Sequence, residues 1–129
     1  MNLRYAILYV DDVAASLDFY AAAFGIRRRM LHDSGDYGEM DTGATTLSFS
    51  SRRLMNELGK APGRPDPAHP AFEIAFETDD VAAAHARAVA AGAAEVQPPQ
   101  AMPWGQTTAY VRDRDGFLVE ICSPVMAQP

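Results

Sequence analysis

The sequence is short of several residue types and patterns, and each shortage argues against a class of protein. A single cysteine, Cys122, among 129 residues cannot form an internal disulfide, which favours a reducing compartment. No apolar run is long enough to span a membrane, and no basic stretch leads into an apolar one at the N-terminus. We therefore expect no membrane span, no cleaved signal and a cytoplasmic protein. Lysine and arginine number 11 against 17 acidic residues, and this net charge of −6 argues against nucleic-acid binding.

Motifs that carry chemistry are also scarce. The sequence has no glycine-rich phosphate loop and no serine nucleophile elbow. Its three histidines, His32, His69 and His85, form no pair at the helical metal-binding spacing. Cys122 lies two residues after Glu120 and lacks the positive neighbours that activate a thiol. The composition is that of a globular chain, with 48% apolar and 22% charged residues over a length suited to one domain.

An internal repeat organises the chain. The stretch from Tyr5 to Ala15 returns between Glu73 and Ala83, with Asp-Asp-Val-Ala-Ala identical in both copies and displaced by 68 positions. Each copy is a strand pattern, an acidic pair that caps a helix, and an alanine-rich helix that ends at Gly25 or Gly92. Strand patterns follow at 27–33, 37–42 and 45–50. The pattern predicts a first β-α-β-β-β module over about 3–51.

A proline-rich segment separates the two copies. Residues 52–68 are interpreted as a linker that carries one short helical turn near 54–58, because three prolines fall within 62–67. The second module, about 69–124, has a strand at 69–77, a helix capped by Asp80, and a strand at 94–97 that Pro98-Pro99 is expected to end. A hairpin joins 106–111 to 117–122 across the Asp113-Arg114-Asp115-Gly116 turn, and 123–129 is expected to be a frayed tail.

Strand parity divides the predicted sheets into two faces, since successive side chains point to opposite sides. One face is apolar and is expected to pack beneath the helices: it carries Ala6, Leu8, Val10, Leu47, Phe49, Phe72, Ile74, Phe76, Phe117, Val119 and Ile121. The other face is mixed, with Tyr5, Tyr9, Ser48, Glu73 and Glu120 among its members. Two interpretations stay open: a polar face that simply meets water, or the concave lining of a ligand cleft.

The repeat and the late hairpin Arg112-Asp113-Arg114-Asp115-Gly116-Phe117-Leu118-Val119-Glu120-Ile121 resemble the vicinal oxygen chelate superfamily. That group includes glyoxalase I, bleomycin- and fosfomycin-resistance proteins and extradiol dioxygenases. The resemblance covers residues 3–124, with Arg114 where the family usually has proline. It implies a single α+β domain over 1–129, with two βαβββ modules forming a curved mixed sheet around a concave cleft, helices on the outer face, and a homodimer whose modules pair within one chain or are swapped between chains.

Metal-dependent members of that family place one ligand on each of four strands. The corresponding positions here are Tyr5, Ser48, Glu73 and Glu120, of which only Glu120 matches the glyoxalase pattern in type. A catalytic site needs about three protein ligands and an open position. Glu73 and Glu120 alone would form an incomplete metal site, so we expect no cofactor and keep a divalent metal as the alternative. Two neighbouring carboxylates otherwise require a cation, a shared proton or an arginine.

A narrower resemblance concerns Pro103-Trp104-Gly105-Gln106 and the Tyr110 strand, which look like drug-binding members that bury a planar ligand against aromatic rings. The leading hypothesis is a metal-independent protein that sequesters an aromatic or cationic small molecule. Its expected ligand-binding residues are Tyr5, Tyr9, Ser48, Glu73, Trp104, Tyr110 and Glu120. The alternatives are a metal-dependent lyase, isomerase or dioxygenase that uses Glu73 and Glu120, and a dimerising protein whose cleft is vestigial. The sequence does not identify the ligand.

Overall fold

The computed structural model describes residues 1–125 and confirms an α+β fold with two β-α-β-β-β modules. The chain divides into two compact units, Met1–Arg64 and a second that begins at Pro65. The elements run in the order β1 (Tyr5–Val10), α1 (Val13–Phe24), β2 (Arg28–Leu31), β3 (Tyr37–Met40), β4 (Thr46–Ser51), α2 (Arg52–Glu57), β5 (Glu73–Glu77), α3 (Val81–Ala90), β6 (Ala94–Ala101), β7 (Thr107–Arg112) and β8 (Leu118–Cys122).

The first unit is a four-stranded mixed sheet in the order β1-β4-β3-β2, with only the β1–β4 pair parallel. Asp12 caps α1 by accepting a hydrogen bond from the Ala15 amide at 3.0 Å, which satisfies a donor that the first helical turn leaves unpaired. The helix ends at Gly25, whose φ of 68° is readily adopted by glycine. Leu17 and Tyr20 on α1 are fully buried, as is Phe49 on β4, so the core of this unit lies between helix and sheet.

The second unit repeats the arrangement. Its sheet has the order β5-β8-β7-β6, again with one parallel pair, β5–β8. Asp80 caps α3 through the Ala83 amide at 3.0 Å. The predicted hairpin turn forms between β7 and β8, where Asp113 Oδ1 accepts from the amides of Asp115 and Phe117, each at 2.9 Å. The two copies of the acidic repeat therefore serve one purpose, which is to start a helix directly after a strand.

Each sheet has a face that points away from its long helix, which we call the far face. In the first unit, Gly38 lies on the face that packs against α1, since a Cβ built on it would approach Leu17 and Val13 of that helix. Alternation along the strands then places Tyr5, Tyr9, Tyr37, Glu39 and Ser48 on the far face. In the second unit Glu95, which pairs with Val111, contacts His85 of α3. The far face of that sheet carries Glu73, Glu77, Tyr110, Glu120 and Cys122.

Three sequence expectations are corrected. The expected break at Pro98-Pro99 is wrong: β6 continues to Ala101, because it is an edge strand with register shifts at Gln97 and Gln100 and does not need every amide for pairing. Phe72 is not a core residue but is 52% exposed, since it precedes the strand and stacks edge-on against Phe117. Ser48 is polar and on the far face, yet it is completely buried; it lies on an inner strand with the Tyr37 hydroxyl close to it.

The segment expected to be a linker is held to the rest of the chain by specific hydrogen bonds. Helix α2 begins at Arg52, with Ser51 accepting a hydrogen bond from the Leu54 amide at 3.0 Å. The chain after it remains against the first unit up to Arg64, and Pro67 contacts the second unit, where its carbonyl accepts a hydrogen bond from Arg112 at 3.2 Å. Of the expected frayed tail, residues 126–129 lie outside the described residues. Within 1–125, none of the helices has the length and apolar character that crossing a membrane requires.

Gly38 permits the close contact between β3 and α1, so Gly38→Ala is expected to destabilise the first unit. An added Cβ would lie 2.6 Å from Leu17 Cδ1 and 3.2 Å from the Met30 carbonyl oxygen, and Leu17 is fully buried. Overpacking of this kind costs about 1–3 kcal/mol, which urea denaturation would measure. Gly63→Ala is the matched control, since nothing lies within 4 Å of its Cβ. Equal stability of the two variants would contradict the close packing.

Candidate functional site

The far face of the second unit brings two predicted site residues together. Glu120 lies on the inner strand β8, and its carboxyl is within hydrogen-bonding reach of both Glu73 on β5 and Tyr110 on β7. The register explains the meeting, since Glu120 pairs directly with Tyr110 and sits diagonally from Glu73 across the parallel β5–β8 ladder. We call these three residues the carboxylate cluster.

Proximity changes the acid–base behaviour of the cluster. Burial, followed by the hydrogen bond and the charge of Glu73, raises the pKa of Glu120 from 4.5 to about 6. Two carboxylates at this distance favour a shared proton over two full charges. Burial and the charges of Glu120 and Glu73 also raise the pKa of Tyr110, so its phenol keeps its proton. Glu120 therefore keeps its proton to a higher pH than an ordinary glutamate does, and after losing it the cluster can attract a cation.

Trp104 and Cys122 lie at the end of this face where β8 finishes. The Trp104 indole nitrogen donates a hydrogen bond to Gln106 Oε1 at 2.7 Å, and Gln106 Nε2 donates to the Ser123 carbonyl at 3.0 Å. The indole is thus held in place although the residue is 53% exposed. Burial and three nearby glutamates raise the pKa of the Cys122 thiol. Cys122 therefore lacks the thiolate character that a nucleophile requires.

The far face of the first unit carries the other predicted site residues on an edge strand. Tyr5 is 44% exposed, and the Arg4 guanidinium lies 4.7 Å from its ring centroid. Tyr9 is half-buried, and the Lys60 ammonium lies 5.7 Å from its ring centroid. Both aromatic rings are thus already in contact with a cation of the same chain, which is the geometry of a cation–π pair.

Ser48 belongs to a polar group that the sequence did not reveal. Its hydroxyl is buried without a partner of full hydrogen-bond geometry, although the Tyr37 hydroxyl is close to it. Tyr37 donates to Glu39 Oε2 at 2.8 Å, and Arg29 Nε lies 3.6 Å from the other oxygen of Glu39. Glu39 pairs across the ladder with Ser48 as Tyr110 pairs with Glu120. This correspondence between the two ladders could have pointed to Glu39 as a site residue. It is visible only once the neighbouring strands are known, so the sequence alone did not reveal it.

The donor set does not fit a metal site with three protein ligands. At the four positions that the family resemblance marks, the first unit offers a tyrosine and a buried serine, and the second offers two carboxylates. Across residues 1–125, no group of three or more His, Cys, Asp or Glu side chains is arranged to hold a metal ion. Histidine does not complete the set, because His85, a residue of α3, lies 3.0 Å from Glu95 on the helix side of the sheet, and His69 is exposed beside Asp66.

Comparison with known proteins gives a family match over most of the chain. The model of the Glyoxalase/Bleomycin resistance protein/Dioxygenase superfamily matches residues 2–121. The uncharacterized protein YraH of Bacillus subtilis (strain 168) is 27% identical over 124 residues, which are 94% of this chain and 97% of YraH. The chain is therefore similar to YraH along nearly its whole length.

Solved structures match the fold at similar coverage. A glyoxalase-related enzyme from Fulvimarina pelagi is 26% identical, with a TM-score of 0.82 over 96% of this chain and 88% of the other. A glyoxalase/bleomycin resistance protein/dioxygenase family enzyme from Burkholderia phytofirmans PsJN has a TM-score of 0.83 over 98% of this chain and 100% of its own, at 20% identity. At that identity the second match supports the fold alone.

The raised pKa of Glu120 predicts how stability depends on pH. A carboxyl whose folded-state pKa lies above its usual 4.5 stabilises the fold below pH 4.5, and this contribution is lost as the pH rises through about 6. Glu120→Gln keeps a donor toward Glu73 and removes the charge. We expect the variant to melt about 2 °C above the wild type at pH 8, after allowance for solvent exposure, and to match it at pH 4. Glu77→Gln, on the same face, is the control, and parallel melting curves for Glu120→Gln and the wild type would contradict the shared proton.

Proposed function

The chain belongs to the glyoxalase/bleomycin resistance protein/dioxygenase superfamily, and from that premise we propose that it sequesters an aromatic or cationic small molecule without metal chemistry. The observation that carries the proposal is the carboxylate cluster. Glu73 lies beside Glu120 and helps to raise the pKa of Glu120 to about 6, and an ammonium or amidinium group of a ligand can take the place of the proton that Glu120 loses above that pH. The protein would then bind its ligand through a charge pair that water only partly screens.

Aromatic side chains support the same proposal. Trp104 presents an exposed indole whose orientation is fixed by Gln106, so little freedom is lost when a planar ligand stacks on it. Tyr5 and Tyr9 present rings that already attract cations. Ser48, with a hydroxyl that lacks a full partner, is the proposed hydrogen-bonding residue of the first unit. The proposed ligand-binding residues are thus Tyr5, Tyr9 and Ser48 in the first unit and, in the second unit, Glu73, Trp104, Tyr110 and Glu120.

A metal-dependent lyase, isomerase or dioxygenase is the second candidate, and the adjacency of Glu73 and Glu120 is the observation in its favour. Two carboxylate oxygens are ligands that hard divalent ions accept. The candidate is weaker because the first unit supplies no third ligand of the usual type. Metal content after incubation with Mn²⁺, Ni²⁺, Zn²⁺ or Fe²⁺ and thorough desalting separates the two. If the wild type retains about one ion per chain and Glu120→Ala does not, the metal-dependent enzyme becomes the better proposal and the metal-independent binding function is abandoned.

Cation binding should depend on charge, on Glu120 and on pH. We expect 9-aminoacridine, a planar cation, to quench Trp104, the only tryptophan of the chain, and to bind at least tenfold more tightly than the similar anion 9-anthracenecarboxylate, a difference of about 1.4 kcal/mol. Affinity should rise roughly tenfold between pH 5 and pH 7.5, because the shared proton must leave. Calorimetric titration provides a second measurement that does not depend on fluorescence.

The control for this titration is a carboxylate outside the cluster. Glu120→Gln should weaken 9-aminoacridine binding about tenfold and remove most of its pH dependence, whereas Glu77→Gln should change neither. Equal binding of the cationic and anionic probes, or equal effects of the two variants, would refute the role given to the cluster.

We further propose a homodimer, since each sheet has an edge strand with exposed apolar side chains. Ile7 on β1 is 46% exposed, and Leu3 and Phe72, just before β1 and β5, are 76% and 52% exposed. Apolar groups at sheet edges favour association. Light scattering should give twice the mass of the chain, and Ile7→Lys should shift the protein to the monomer. Val89→Lys, at a 39% exposed site on α3, is the control, and a monomeric wild type would end the dimer proposal.

A further inference from the structure

The chain after α2 forms a strap across one end of the first unit. The strap is residues 59–64. Side chains of the same unit hold its last three residues, and backbone hydrogen bonds to Asn56 and Met55 hold its first two. Arg52 donates hydrogen bonds to the carbonyls of Pro62 and Gly63 at 2.6 and 2.7 Å. Arg64 pairs with both oxygens of Asp11 at 2.6 and 3.2 Å, and Arg52 Nε lies 3.4 Å from the same carboxylate. Asp11 directly follows β1, so these contacts fix the strap beside the end of the Tyr9 strand.

The strap positions Lys60 over Tyr9. The Lys60 amide donates to the Met55 carbonyl at 3.0 Å, which anchors its backbone to α2, and its ammonium lies 5.7 Å from the Tyr9 ring centroid. Lys60 is the only lysine in the sequence, whereas the fixed hydrogen bonds of the strap are made by arginines. A compact ammonium on a flexible stem suits a contact that must be released, and a guanidinium suits one that must hold.

We propose that the strap is a gate in which Lys60 covers the ring face of Tyr9 and moves aside when a ligand brings its own cationic group to that face. This inference rests on the proposed function, because it requires the ligand to be a cation, and it assigns Tyr9 of the first unit as a second place for such a cation, separate from the carboxylate cluster. Lys60 thereby becomes a specificity-determining residue. A ligand without a positive charge gains no cation–π contact that compensates for displacing the lysine, so the gate selects for cations.

The strap is held firmly where Arg52 bonds to Pro62 and Gly63, whereas its contact between Arg64 and Asp11 is weak enough to be exchanged. Arg64 and Asp11 have side chains that are 66% and 58% exposed, and exposed ion pairs contribute little to stability. Ala61 has a φ of 45°, a left-handed conformation that residues other than glycine rarely adopt. The closed strap thus carries backbone strain that opening relieves. Because Pro62 and Gly63 are held by Arg52 and Ala61 is strained, movement is expected at Ala61 and at the neighbouring Lys60.

The closed position of Lys60 is testable without a ligand. Reductive methylation with ¹³C-formaldehyde labels Lys60 and the terminal amine and preserves the positive charge, and Lys60→Arg identifies the lysine signal by its loss. Ring current from Tyr9 should move the Lys60 methyl resonance upfield of its position in urea, and Tyr9→Leu should abolish the shift. Asp11→Asn should reduce it, whereas Asp18→Asn, which breaks an exposed Arg28 pair of 2.6 Å, should leave it unchanged. A methyl signal at its urea position in the folded wild type would overturn the gate.

The release of Lys60 is tested by binding. Lys60→Met keeps an unbranched, flexible side chain one atom shorter and removes the charge, so 9-aminoacridine should bind about fivefold more tightly, as expected if the gate is closed in roughly four molecules of five. Asp11→Asn should act in the same direction, and Asp18→Asn should have no effect. During titration of the wild type, the labelled methyl signal should return toward its urea position.

The outcomes separate the gate from the function on which it rests. If the wild type binds the cation and Lys60→Met binds it equally or more weakly, the gate is wrong and the binding function stands. If no variant binds the cation, the proposed function fails and the gate fails with it. Tighter binding by Lys60→Met together with displacement of the methyl signal supports both.

Discussion

The fold depends on one local interaction that the chain makes twice. Asp12 and Asp80 each accept a backbone hydrogen bond at 3.0 Å three residues on, and each begins a helix directly after an edge strand. A carboxylate at this position satisfies an unpaired amide and complements the positive end of the helix dipole. Because the helix starts so soon after the strand, it must return over the sheet and cover one face of it. The other face is left for polar and aromatic side chains.

The same constraint explains how much the sequence could predict. Strand alternation, the acidic caps and the Asp-Gly turn are local signals, and they predicted the elements, their order and the inward direction of Leu8, Phe49 and Val119. The prediction failed at Pro98-Pro99 because it assumed that proline, which has no amide to donate, ends a strand. That holds for an inner strand, whereas β6 is an edge strand. Whether a strand is inner or edge depends on pairing partners that lie far away in the sequence.

The candidate site was accessible to sequence reasoning only in part. The repeat and the family resemblance marked Glu73 and Glu120 as candidates on one face but left open whether they meet, and a raised proton affinity was expected only if they do. The group formed by Tyr37, Glu39 and Arg29 was not found, since short strands with one charged residue each carry no distinctive pattern. The pairing of Arg64 with Asp11 spans 53 residues of chain, and no periodicity indicates it.

The two units have diverged at matched positions on one plan. Ser48 and Glu120 occupy the same place in the two ladders, as do Glu39 and Tyr110. In the first unit an arginine lies beside the carboxylate, so the charge there is balanced within the sheet. In the second unit the carboxylates have one another and a phenol, so the balance must come from a proton or from outside the protein. The two units thus share one strand arrangement but differ in how the charge at matched positions is balanced.

The edge strand β6 has a consequence for the behaviour of the chain before it is fully folded. Exposed strand edges are templates on which other chains can add, and proline cannot donate to such an addition. Pro98 and Pro99, with the irregular register around them, therefore prevent another strand from pairing regularly with this edge of the second sheet as soon as the edge forms. On the first sheet, β2 has a register shift and the arginines Arg28 and Arg29. Nascent or partly unfolded molecules therefore have only one side of each sheet on which to join, which disfavours open-ended fibres and protects the protein during synthesis.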